Sequence, residues 1–255
     1  MRVATWNVNS LNVRLGHVLD WLASAEVDVL CLQELKLSNE KYPTAALRAA
    51  GYESVVNGQK TYNGVAIVSR LPMSDVTVDI PDYADEQKRV IAATIGGTRL
   101  VCAYFPNGQS LESDKYRYKL DWLDAMHGYM LQQLATHPRL ALLGDYNIAP
   151  EDRDVHDPAA WVGQVLVSPK ERAAWGALTG AGLIDCFRLF EQPEKTFSWW
   201  DYRMLGFRRN AGMRIDHILA SSALAADCRA CVVDRAPRKL EKPSDHAPVV
   251  ADFAS

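Results

Sequence analysis

The chain has 255 residues, 48% of them hydrophobic and 23% charged, with a formal net charge of −3. This length and apolar content suit one globular domain, residues 1–255, that buries roughly 70–75% of its unfolded surface, and they exclude a disordered chain. The slightly acidic balance excludes general coating of nucleic acid, which calls for a basic domain.

Met1 and Arg2 run into the strand-like VATWNVN with no basic-then-apolar leader. No apolar run approaches about 18 residues, so neither a signal peptide nor a membrane span is expected, and the predicted location is cytoplasmic. Leu15, Val18, Leu19 and Leu22 then follow the i, i+3, i+4, i+7 spacing of an amphipathic helix. VDVLCLQEL, NGVAIVSR, RVIAATI and RLVCAYF read as strands from their length and β-branched content, several buried on both faces. Tyr116, Leu120, Leu123, Met126, Met130 and Leu134 predict a helix of about five turns. After the strand RLALLGDYN comes a third helix over residues 172–183, ending at Gly182, and then the strands MRIDHILAS and PVVADF. Cys31, Cys102, Cys186, Cys228 and Cys231 are odd in number and lie mostly in apolar runs, which predicts reduced, buried thiols. The lone Cys228-x-x-Cys231 has no second pair and reads as structural.

Strands mixed with helices, without strict alternation, predict an α/β sandwich of sheets packed on each other with helices outside. Residues able to do phosphate or metal chemistry gather at strand ends: Asn7, Glu34, Tyr104, Asp145, Asn147, Asp216 and His217, with Asp245 and His246 ahead of the last strand. Strand ends aim side chains at one edge of a rigid sheet, so this pattern predicts a site.

Glu34 ends a buried run, where a charge without a partner is costly, and a divalent cation is one such partner. Asp145 after Gly144 alone fits a turn equally well, but Asn147 two positions later would share its face in an extended chain. Asp216 interrupts an apolar strand and needs a buried donor; His246 of SDHAPV is the expected one, with a carboxylate favouring its imidazolium form. Asp245 and His246 are neighbours and face opposite ways, so one can reach a metal while the other reaches a phosphate oxygen. With hard oxygen donors and no Cys/His spacing for zinc, magnesium is the expected ion and manganese the alternative. Arg203, Arg208, Arg209 and Arg214 fall in a stretch free of acids that, from charge alone, reads as a solvated loop.

The segments TWNVNSL, CLQELK, NGVAIVSR, AYFPNG, GDYNIAP, FSWWDYR, GMRIDHILAS and KPSDHAPV resemble, in order and over nearly the whole chain, the exonuclease III type of apurinic/apyrimidinic (AP) endonuclease. That family lies within the endonuclease/exonuclease/phosphatase superfamily. GDYN and SDH specify only metal-dependent phosphoester hydrolysis; AYFPNG and FSWWDYR narrow the resemblance to DNA repair. The resemblance implies a four-layered α/β sandwich, two packed mixed β-sheets flanked by helices. It implies that Glu34 binds the metal with Asn9 and Asp245 nearby, Asn9 standing where some relatives carry aspartate. Asp145 would orient or deprotonate the attacking water, with Asn147 and Asn7 fixing the groups around it. Asp216 would hold His246 against the scissile phosphate, and Tyr104 would contact that phosphate or the leaving oxygen. Trp199, with Met213 and Ile215, would line the pocket for an extruded base-less sugar, one of Trp199 and Trp200 being a plain core aromatic. The arginines of residues 203–214 would grip DNA, Asn107 would touch substrate, and His156 would lie near the DNA strand ends. The implied enzyme is a monomeric, magnesium-dependent nuclease. It would cut duplex DNA on the 5′ side of abasic sites and trim 3′ ends. The alternatives are a phosphatase for a small phosphorylated or lipid-derived substrate and a catalytically inert DNA-binding module.

Overall fold

The computed structural model describes residues 1–254. Its strands are, in chain order, β1 (Arg2–Asn7), β2 (Val29–Gln33), β3 (Glu53–Asn57), β4 (Val65–Ser69), β5 (Met73–Val78), β6 (Val90–Ile95), β7 (Thr98–Tyr104), β8 (Leu140–Asp145), β9 (Leu183–Asp185), β10 (Trp199–Trp200), β11 (Gly212–Met213), β12 (Asp216–Ser221), β13 (Cys228–Val233) and β14 (Val249–Phe253). One six-stranded sheet has the order β13-β14-β1-β2-β4-β3, a second β5-β6-β7-β8-β12-β9, and β10-β11 form a short ribbon. Both large sheets are mixed: β1 runs parallel to β2 and β7 parallel to β8, among antiparallel neighbours.

The central strands are apolar throughout because both of their faces are covered. Val3, Cys31, Ile67, Ile91, Leu143 and Ile218 fill the space between the sheets. The outer face of the first sheet packs on the helix Leu11–Ala25 through Val18 and Leu22. That of the second packs on the helices Asp114–Thr136 and Pro169–Gly180 through Trp122, Met126, Met130 and Leu178. Helix, sheet, sheet, helix is the four-layered sandwich that the sequence leads one to expect. All five cysteines are buried and free. Among the described residues no helix is long and apolar enough to cross a membrane.

Three local expectations are corrected. The helix placed at residues 172–183 spans Pro169–Gly180, because Ser168 and Glu171 form a reciprocal capping box and Pro169 takes the first turn; Leu183 already belongs to β9. MRIDHILAS is two strands, Met213 ending β11 and Asp216 opening β12. Asp216 therefore stands at the start of its strand, not the end. It reaches the common edge because β12 runs antiparallel to β8, with Asp216 opposite Asp145. The parallel β7 brings Tyr104 opposite the same Asp145. Just before it, a Cβ on Gly144 would lie 1.8 Å from the Ala103 carbonyl oxygen, so only glycine lets these two strands approach this closely.

Beneath this edge sits a strut of buried charge. Arg214, 1% exposed, bonds Asp154 at 2.7 Å and Asp185 at 2.9 Å, and donates to His217 Nδ1 at 2.9 Å. It is thus internal and does not join Arg203, Arg208 and Arg209 on the surface, which corrects the reading of that stretch as a single arginine-rich loop. His217 Nε2 donates to the Ile148 carbonyl at 2.9 Å, and its ring packs 4.5 Å from Trp175. Burial, reinforced by the Arg214 charge, pushes His217 well below the ordinary histidine value, so it stays neutral in the fold. The unfolded chain takes up that proton near pH 6.5 and the native chain does not. Stability present above that pH is therefore lost as pH falls below it, by up to about 1.4 kcal/mol per pH unit. His217→Gln, whose amide can both donate to Ile148 and accept from Arg214, should shallow the decline of Tm between about pH 6.5 and pH 5. An unchanged slope in thermal melts of the variant would contradict this assignment.

Candidate active site

The edge where β1, β2, β7 and β8 end is spanned by one amide. Asn7 Nδ2 donates to Glu34 Oε1 at 2.9 Å and to Asp145 Oδ2 at 2.9 Å, tying the end of the first sheet to the end of the second. Glu34 Oε1 also accepts the Tyr104 hydroxyl at 3.0 Å, and the Arg89 guanidinium covers the Tyr104 ring at 4.8 Å. Burial, then the charges of Glu34 and Asp145, hold the Tyr104 phenol far above its usual range, so it remains a donor.

His246 lies between two carboxylates. Its Nδ1 donates to Asp216 Oδ2 at 2.9 Å and its Nε2 faces Asp145 Oδ2 at 3.8 Å. Burial works against the cation, yet the charges of Asp216, Asp145 and Asp245 outweigh it and lift His246 to about 10. Burial raises Asp145 to about 7, with the His246 charge pulling it down and Asp216 pushing it up. Asp216 is held in turn by Ser198, whose hydroxyl donates to Oδ2 at 2.6 Å and accepts the Ile215 and Asp216 amides, each at 3.0 Å. Ser244 fixes the His246 loop by donating to the Asn7 carbonyl at 2.7 Å.

Asp145 and Asn147 do meet, though not by strand alternation. Asn147 has φ 49°, a left-handed conformation suited to asparagine, and its backbone N–H turns back onto Asp145 Oδ1 at 2.9 Å. Its side chain accepts from Asn107 Nδ2 at 3.0 Å.

Ligand atoms of Glu34, Asp145 and His246 lie within 4.8 Å of one another. His246 as an imidazolium is no ligand, so oxygen atoms are the donors on offer. Lys36 Nζ stands 3.0 Å from Glu34 Oε2 and also bonds Asn9 Oδ1, showing that these two oxygens face one cationic position. Asp245 is outside the cluster; it accepts from Asn9 Nδ2 and from Trp199 Nε1, each at 3.0 Å, and so adjoins that position through Asn9. An all-oxygen set at the end of rigid strands fits a hard divalent cation and makes this edge a candidate acidic metal site.

Beside these groups Trp199 is half-buried and lines a cavity of about 370 Å³ with His156, Trp161, Arg203, Met204 and Arg209. Trp200 is the core aromatic of the pair. Met213 and Ile215 are buried behind Trp199, backing the cavity instead of lining it. Arg208 and Arg209 are exposed, and Arg203 is paired with Asp201 at 2.6 Å. Ser198, Ser244, Lys36 and Arg89 were not singled out by sequence reasoning. The first three lie inside FSWWDYR, KPSDHAPV and CLQELK, but a side chain's support of a neighbour leaves no spacing to read. Asp216→Asn removes the leading partner of His246, so the midpoint of its imidazole proton shift should fall from about 10 toward the ordinary 6.5. An NMR titration in which the midpoint stays near its original value would refute the pairing.

Residues 4–246 match the model of the "Endonuclease/Exonuclease/phosphatase family". The chain is 34% identical to exodeoxyribonuclease III of Haemophilus influenzae, covering 99% of this chain and 100% of that protein. Among solved structures it superposes on the 3′ phosphatase NExo from Neisseria, bound to a product DNA hairpin, with a TM-score of 0.98 and 46% identity over the whole of both chains. An AP endonuclease from Archaeoglobus fulgidus gives a TM-score of 0.97 and 38% identity, again over both whole chains. The chain belongs to the endonuclease/exonuclease/phosphatase family, in its exonuclease III branch.

Proposed function

We propose that the chain is a magnesium-dependent DNA repair nuclease, with manganese as the alternative ion. It hydrolyses the phosphodiester on the 5′ side of an abasic site in duplex DNA and removes nucleotides or blocking groups from 3′ ends. The observation that carries this reading is the His246 imidazolium facing the Asp145 carboxylate across 3.8 Å, beside Glu34. A phosphate oxygen can take a hydrogen bond from His246 Nε2 while Asp145 takes the proton of an attacking water. Asn7 and Asn147 aim Asp145 for that task, and Asp216 keeps the imidazole charged as negative charge builds on the phosphate. Tyr104, protonated and fixed by Glu34, is a donor for that phosphate or the leaving oxygen. A divalent cation held by Glu34, with Asn9 and Asp245 close by, would supply further neutralisation of the phosphate charge.

The cavity beside Trp199 has room for a sugar without its base, and such a nucleotide is cheap to extrude because its stacking and pairing are already lost. Arg203 and Arg209 line this cavity and, with Arg208, are exposed, where they can track phosphates, and Asn107 is exposed and bonded to Asn147 at the site. These features have no use in a phosphatase for small substrates. The solved relatives named as a DNA-bound 3′ phosphatase and as an AP endonuclease support the same substrate class. The enzyme is read as a cytoplasmic monomer.

His156 lines the Trp199 cavity; its backbone N–H donates to the Gly212 carbonyl at 3.1 Å and its ring Nδ1 lies 3.2 Å from the same oxygen, so the ring is held where it narrows the space an extruded sugar would enter. Two labelled duplexes test both points, one with a single abasic analogue and one with a recessed 3′ end. Each should be cut with Mg²⁺ and spared with chelator, and His156→Gly should raise internal cleavage relative to 3′ trimming. Failure to cut either duplex with Mg²⁺ or Mn²⁺ would overturn the nuclease reading; an unaltered ratio in the variant would remove only His156.

A further inference from the structure

Lys119 in the helix Asp114–Thr136 and Glu171 in the helix Pro169–Gly180 form an ion pair in which both side chains are 0% exposed. Taking two charges out of water is costly, and an apolar pair of similar volume commonly serves stability as well or better. What the pair does supply is direction. The Lys119 ammonium has three N–H groups, and each has an acceptor: Glu171 Oε1, the Asn147 carbonyl at 2.7 Å and the Asn107 carbonyl at 3.2 Å.

Those carbonyls belong to the two residues whose side chains join at the rim of the site, Asn107 Nδ2 to Asn147 Oδ1 at 3.0 Å. Asn147 is also the left-handed residue whose N–H aligns Asp145. The other end of the clamp cannot drift. Glu171 Oε1 also accepts the Leu166 N–H at 2.9 Å, and Oε2 accepts the Ser168 N–H at 3.0 Å, pinning the anion to the loop ahead of its own helix. Gly108 lies against the Lys119 stem, where an added Cβ would come within 3.2 Å of Cδ.

We propose that Lys119, anchored by Glu171, is a positioning residue for the phosphoester hydrolysis: from beneath the site it fixes the backbones of Asn107 and Asn147, and through Asn147 the direction of Asp145. The inference rests on the nuclease reading given above. It assigns to a buried helix pair a part in the chemical step without contact with substrate.

The test measures kcat and KM of the full chain on the abasic duplex, with circular dichroism and Tm alongside. Lys119→Met combined with Glu171→Gln removes both charges and so leaves no uncompensated buried ion. The expected result is native circular dichroism, a KM within about threefold of wild type and a kcat lower by about 10- to 100-fold. A folded double variant with kcat within about twofold of wild type, whatever its Tm, would overturn the proposal. Should the double variant not fold, Glu171→Gln alone decides by the same split: Lys119 keeps its donors but loses its anchor. A fall in kcat of about threefold or more at unchanged KM supports positioning, and an unchanged kcat overturns it. Wild-type cleavage in the same assay reports on the nuclease reading separately, because the proposal concerns only the ratio of variant to wild type.

Discussion

A charged imidazole buried between carboxylates is the interaction on which the rest of the site depends. Burial alone would discharge His246, and alone it raises Asp145. Each group holds the other in its ionised form: Asp216 and Asp145 stabilise the cation, and the cation pulls Asp145 down. Such a pairing is useful only if its geometry cannot relax. That rigidity comes from the second sheet, where Asp145 and Asp216 are register partners on adjacent antiparallel strands, with Ser198 bracing Asp216 from behind. The first sheet supplies Asn7 and Glu34, and one Asn7 amide joins the two halves.

This arrangement explains why candidate site residues from the first ten and last eleven positions of the chain lie together. The strand β14, which follows His246, pairs with β1, which ends in Asn7. The order of strands in the first sheet therefore carries the C-terminal loop to the N-terminal strand, and the Trp6 indole donates to the His246 carbonyl at 3.2 Å to complete the contact. Around this centre the molecule divides its polar groups by depth. Arg203, Arg208 and Arg209 remain at the surface, whereas Arg214 is drawn inside by Asp154 and Asp185.

Much of this was legible in the sequence, for identifiable reasons. Apolar runs of strand length ending in Asn7, Glu34, Tyr104 and Asp145 signal an edge lined with polar groups, because buried strands do not end in such residues by default. The isolated Asp216 and the SDH loop signal a donor–acceptor pair for the same reason. What escaped has no period and no composition of its own. The turn that folds Asn147 onto Asp145 is a backbone event, and β5 is an exposed edge strand with no buried face to pattern it. The bulge between Cys228 and Ala230 breaks the alternation of β13. Lys119 reads in the sequence as a polar position on an amphipathic helix; only its surroundings show that it points inward. The family resemblance named the candidate residues that meet at this edge, while the support beneath them required the packing.

The central claim is that His246, Asp145 and Glu34 surround one phosphorus atom. Diffraction from crystals of the chain with an uncleavable abasic duplex and Mn²⁺, recorded at the manganese edge, examines it most directly. The account predicts a backbone phosphate oxygen within hydrogen-bond distance of His246 Nε2 and an anomalous peak in contact with the Glu34 carboxylate. A phosphate bound away from His246, or manganese found elsewhere than at Glu34, would contradict it.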